Sequence, residues 1–139
     1  MNARELSVSA EYLVRPEYGA DWREELEEFA ARRDVESAWF SGLGSLQDAE
    51  VWYYDQADRE YRSVRFDEPV EVAACVGSLS LLDGELFAHT HAVLSRPSGQ
   101  ALAGHLDAGT VFAGELYLRA FEEPLDRTYD EDTGLDLLL

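Results

Sequence analysis

The chain has 139 residues, 46% of them hydrophobic and spread along its length, enough for one domain spanning 1–139 and too apolar for a disordered segment. Asp and Glu number 29 against 11 basic residues, giving a formal net charge of −18, and every basic residue is arginine. That balance disfavours nucleic acid, which is held chiefly by Lys and Arg at phosphates, and the absence of lysine excludes Schiff-base and lysine general-base chemistry.

In chain order, Leu6, Val8, Ala10, Tyr12 and Val14 alternate with polar residues and predict a first strand ending near Arg15-Pro16. Asp21 has the character of a helix N-cap, with Glu24 three residues on. Trp22, Leu26, Phe29 and Ala30 then fall at helical spacing, so a helix is expected from Trp22 to Arg33, its terminal arginines suiting the negative pole. Beyond it the period is two. Ser37 to Gly42 and Ala49 to Tyr54 read as two strands joined through Gly42-Leu43-Gly44-Ser45, and Arg59 to Phe66 as a third after the turn Asp55–Asp58. A phosphate loop is a poor reading of those glycines, because no Gly-Lys-Ser/Thr follows them.

Val70 to Leu82 is long and apolar, and its Cys75, the chain's one cysteine, reads as a buried thiol with no disulfide partner. Asp83-Gly84 marks a tight turn into Leu86 to Leu94, and Arg96–Gly99 turns into Gln100 to Leu106. Val111 to Phe121 is apolar at alternating positions, and Tyr129 to Leu139 reads as a short docking segment. One helix followed by many strands predicts an α+β fold on a mostly antiparallel sheet. The aromatics, Trp52-Tyr53-Tyr54 among them, require cover on a sheet face that a single helix cannot supply and an oligomer could. No run approaches the length of about 18 apolar residues that a membrane span requires, and no basic-then-apolar leader opens the chain, so a cytoplasmic location is expected. The acidic, lysine-free composition reads as adaptation to concentrated salt.

All three histidines lie in one stretch. His89 and His91 stand at i and i+2, on one side of a strand, and His105 follows after a turn. Three imidazoles are a fitting ligand set for zinc and leave one tetrahedral position open. Asp107, Glu115 or Glu85 could close that position, or water could occupy it, with Glu115 the candidate general base. Arg119 and Arg127 could pair with an anionic ligand, although salt bridging is their default on so acidic a surface. Ser45, Ser78 and Ser80 have no histidine placed to single one out as a nucleophile.

Gly42-Leu43-Gly44-Ser45-Leu46, Glu71 in its apolar strand, Gly77-Ser78-Leu79-Ser80, Asp83-Gly84, the histidine segment and Asp126-Arg127 with Thr133-Gly134 together resemble the PPC (plant and prokaryote conserved) domain family. The resemblance implies a compact domain on an antiparallel sheet, assembled as a homotrimer. It also implies a bound metal, usually taken as zinc, at His89, His91 and His105, with Ala103 standing where the family's second histidine motif begins with glycine. The family's plant members carry an AT-hook that has no counterpart here, and of their interaction motif Glu68–Ala73 keeps only a glutamate and the apolar pattern. Prokaryotic members are often named as DNA-binding by family association, which this composition does not support. Two functions remain. The first is a trimeric, metal-binding module for a small ligand or a protein, without turnover. The alternative is a zinc-dependent enzyme using metal-activated water on a small polar substrate.

Overall fold

The computed structural model describes residues 1–139. Its elements are β1 (Val8–Val14), α1 (Trp22–Arg32), β2 (Ala38–Asp55), β3 (Glu60–Phe66), β4 (Val70–Leu82), β5 (Glu85–Ser95), β6 (Ala101–Phe121), β7 (Arg127–Asp130) and β8 (Leu135–Leu138). The main sheet runs β1-β6-β5-β4-β2-β3, and β6 also pairs with β2. Every pairing between these strands is antiparallel. The extra pairing closes β6, β5, β4 and β2 into a ring, with β1 and β3 attached outside it. The expected sheet with one helix is therefore present.

Two expected breaks are absent. The Gly42–Ser45 segment is not a connection but the middle of β2, 18 residues long. Likewise β6 runs unbroken for 21 residues through Leu106–Val111. The glycines serve close approach between strands. A Cβ on Gly44 would stand 2.3 Å from the Ala113 carbonyl oxygen, and one on Gly42 2.6 Å from that of Glu115. Between them the register against β4 shifts, so β2 bends while keeping β6 as its neighbour.

The core fills the ring and continues beneath α1. Phe40, Leu46, Leu79, Leu94, Leu116 and Leu118 are buried inward-facing strand residues, and Trp22, Leu26 and Ala30 supply the buried stripe of the helix. Leu26 alone contributes about 1.5–3 kcal/mol by burial. Asp21 caps the helix as expected, accepting from the N–H groups of Arg23 at 2.9 Å and Glu24 at 3.1 Å. Its second oxygen accepts from Gly109 N–H at 2.9 Å, which fixes the helix start to β6. Cys75 is buried, and burial pushes its thiol up to about 11, as an inert side chain requires.

One pairing stops early. β5 and β6 are hydrogen-bonded only from His91↔His105 to Ser95↔Ala101. Beyond His105, β6 stays with β2 and parts from β5. Helix α1 spans the gap: Glu27 accepts from Ala88 N–H of β5 at 3.0 Å, and Arg23 donates to Asp107 of β6 at 2.9 Å. The C-terminal segment, expected as a short docking segment, forms the hairpin β7-β8. It is anchored by Leu81 N–H to the Leu125 carbonyl at 2.8 Å and by Tyr54 Oη to the Thr133 carbonyl at 3.0 Å.

The close approach at Gly44 carries a direct expectation. Gly44→Ala should lower unfolding free energy by about 1–3 kcal/mol through overpacking against β6, read by chemical denaturation in molar salt; a stability equal to wild type would contradict the strand contact.

Candidate metal centre and its cavity

His91 and His105 face each other across the last β5–β6 pair, and His89, two residues along, shares their side of β5. Because β6 has by then left β5, His105 leans toward His89 as well as His91. Their ring centroids lie 4.9 Å and 4.3 Å from that of His105, and 5.1 Å from each other. One ligating nitrogen from each ring can be chosen so that all three lie within 4.8 Å of one another. His89 Nε2 and His105 Nδ1 are 2.8 Å apart. Zinc–imidazole bonds of about 2.0–2.1 Å place tetrahedral nitrogens roughly 3.4 Å apart, a span bracketed by these two separations. The three side chains fit a metal ion with small rotations.

The other expected site residues separate cleanly. Asp107 lines the same cavity as His89 and His105, but its carboxylate is held by Arg23 at 2.9 Å and it does not join the histidine cluster. Glu115 lies in a different depression with Arg15, Tyr18 and Glu71, and Glu85 in another beside α1. Neither reaches the histidines. Ten residues of strand separate Glu115 from His105, roughly 33 Å at the ordinary rise. Arg119 is salt-bridged to Glu11 at 2.9 Å, the default for such a surface.

Arg127 departs from that default. It makes no salt bridge, and it reaches from β7 over the outer side of β4 and β5. Nε donates to Ser80 Oγ at 2.9 Å, Nη2 to Ser78 Oγ at 2.9 Å, and Nη1 to the Asp136 carbonyl at 3.0 Å. Nη2 also lies 3.3 Å from His89 Nδ1. A guanidinium can only donate, so His89 Nδ1 accepts, and its proton sits on Nε2 facing His105 Nδ1. Sequence spacing gave no sign of this contact, because it depends on the hairpin folding back across β4. Ser78 and Ser80, without a nucleophilic role, serve as its acceptors.

Around these groups lies a cavity of about 370 Å³, in the opening between β5 and β6 and under the β7-β8 hairpin. Trp52, Tyr61, Phe87 and Leu135 supply apolar wall, and His89, His105 and Arg127 the polar part. His91 stands outside it, exposed on the outer face of the sheet.

Burial, then the charge of Arg127 and the neighbouring imidazoles, pushes His89 down to about 4, and burial with the same neighbours lowers His105. Neutral imidazoles are the metal-binding form, and ligation through His89 Nε2 requires its proton to move to Nδ1, which gives up the Arg127 contact. In metal-free protein the His89 ring should titrate near pH 4 rather than 6.5, read from its Hε1 resonance by NMR. The unfolded chain takes up that proton first, so the stability the neutral ring contributes is present above about 6.5 and lost as pH falls through about 4. A midpoint near 6.5 would contradict the buried environment.

Comparison with known proteins agrees with this architecture. A protein from Archaeoglobus fulgidus described as metal-containing is 34% identical and superposes with a TM-score of 0.94, covering 100% of this chain and 99% of that one. A Pyrococcus horikoshii protein described as plant- and prokaryote-conserved is 28% identical, with a TM-score of 0.93 over 100% of this chain and 97% of its own. A Ralstonia eutropha protein provisionally named DNA-binding is 26% identical, with a TM-score of 0.86 over 92% and 90%. No curated protein matches the sequence. The family model of the Plants and Prokaryotes Conserved (PCC) domain matches residues 3–122, which include all three histidines and end before Arg127. The chain therefore belongs to the Plants and Prokaryotes Conserved domain family.

Proposed function

We propose that this protein is a metal-binding module of its family, holding one divalent ion, zinc by ligand chemistry, on His89, His91 and His105. The observation that carries the reading is the convergence of three nitrogen donors, the chain's complete set of imidazoles, at the point where β5 and β6 part. The metal-containing description of the Archaeoglobus fulgidus relative supports it. When bound, the ion supplies a Lewis-acid position open to a further ligand. A DNA-binding role is not adopted: a net charge of −18 leaves little with which to neutralise phosphates.

Assembly as a homotrimer belongs to the same proposal. Leu13, Trp39, Val76 and Tyr117 are large, exposed apolar side chains on the outer side of neighbouring strands. They form an uncovered sheet face of the kind that marks an interaction site, and His91 stands opposite Val76 on that face. A second reading, a zinc-dependent enzyme on a small polar substrate, is favoured by the cavity beside the histidines. Its base is not evident at the histidines: Asp107 is occupied by Arg23, Asp136 lines the wall without joining the histidine cluster, and Glu115 is elsewhere. The binding reading is therefore preferred.

His89→Ala and His105→Ala should each reduce bound metal from one ion per chain to a trace, by elemental analysis of purified protein; a metal-free wild type after zinc loading would overturn the site. Chelation should leave the far-ultraviolet circular dichroism unchanged, because a core of 22 buried residues forms without the histidines. Light scattering in molar salt should give a mass three times 15.6 kDa, and a monomer would remove the trimer from the proposal.

A further inference from the structure

The cavity beside the histidines has more polar groups than the metal reading uses. Three buried side-chain atoms without a hydrogen-bond partner, Arg23 Nε, Trp52 Nε1 and Thr90 Oγ1, all belong to residues of its wall. Thr90 is 1% exposed, so water does not compensate its hydroxyl from outside. Two of these atoms are N–H donors and the third a hydroxyl able to donate. Unsatisfied buried donors are costly in general, and these lie behind the cavity surface rather than on it, with Glu27 3.8 Å from Arg23 Nε.

The charges of the wall are what bear on an occupant. Arg23 and Arg127 balance Asp107 and Asp136, so the lining is neutral within a chain of net charge −18. A divalent ion on the histidines then leaves positive charge in excess at this one place. Arg127 has no carboxylate within salt-bridge distance, unlike Arg23, Arg62, Arg96 or Arg119. Its contacts with Ser78, Ser80, His89 and the Asp136 carbonyl use four of its five N–H groups. One N–H of Nη1 remains, and metal ligation through His89 Nε2 would release the Nη2 N–H as well, giving the two donors that a carboxylate takes and fewer than a phosphate dianion requires. The rest of the wall, with Phe87, Leu82, Leu135 and Leu137, suits a hydrocarbon body.

We infer that the cavity binds a small carboxylate with an apolar body, its carboxylate on Arg127 and its reactive or polar end toward the metal position. The inference rests on the metal-binding proposal for the second of these contacts only. Arg127 is carried by the β7-β8 hairpin, past residues 3–122 matched by the family model but within the span over which the Archaeoglobus fulgidus and Pyrococcus horikoshii structures cover 100% of this chain. The hairpin acts as the specificity element, and the ring of strands as its support.

Calorimetric titration of zinc-loaded wild type with acetate, butanoate and 3-phenylpropanoate, each beside its uncharged amide, tests this. At least one carboxylate should bind tenfold or more tightly than its amide, with the longer bodies favoured over acetate. Arg127→Gln should erase the preference for carboxylate while elemental analysis shows unchanged metal. Equal binding of acid and amide, or no binding of any probe to metal-loaded wild type, would overturn the inference, and neither result needs the variant to fold. Loss of the preference in Arg127→Gln together with loss of metal would also count against it. If wild type takes up no metal yet still prefers carboxylate through Arg127, the carboxylate site stands and the metal reading falls.

Discussion

β6 cannot hold both of its neighbours over its whole length. It stays hydrogen-bonded to β2 from Trp52↔His105 to Ala38↔Ala120, and this closes the ring around the core. To do so it leaves β5 at His105. The parting strands expose backbone that a sheet would otherwise satisfy, turn two imidazoles of β5 toward one of β6, and open the cavity. The core, the histidine cluster and the placement of α1 are thus consequences of one choice of strand partner.

The repair of that opening is electrostatic. Arg23 and Glu27, one turn apart on α1, reach β6 and β5 respectively and lie 3.8 Å from each other. An exposed ion pair of this kind adds little stability by itself. Here both groups are partly buried and each has a second partner, so the pair sets geometry. The acidic surface elsewhere has no such role, and its charge is carried by side chains pointing outward from a core that forms from apolar residues alone.

The sequence made some of this legible and hid the rest for physical reasons. The helix and its cap were readable because Asp21, Trp22, Leu26 and Ala30 act through local spacing. The turn at Asp83-Gly84 was readable for the same reason, both residues having positive φ. The lengths of β2 and β6 were not, because Gly42 and Gly44 look the same whether they turn a chain or admit a neighbouring strand. His89 and His91 advertise a shared side by their spacing, and His105 joins them only through the β5–β6 register. Glu115 keeps the parity of His105 but lies too far along the strand, with irregularities in the register between. Arg127 was visible as a charge and not as part of the site, since its position depends on a hairpin crossing the outside of β4.

Glu27 also does something for the chain as a solute. Where β6 departs, the Ala88 N–H of β5 would be an open strand edge, and such edges recruit strands from other molecules. A carboxylate from α1 occupies that N–H, placing a charged side chain where a foreign carbonyl would dock. In concentrated salt, long-range repulsion between acidic surfaces is screened to a few ångströms and no longer keeps molecules apart. A blocked edge works at contact range and is indifferent to screening. The blocked N–H therefore keeps its protection at any ionic strength, whereas the repulsion of the surface acid does not.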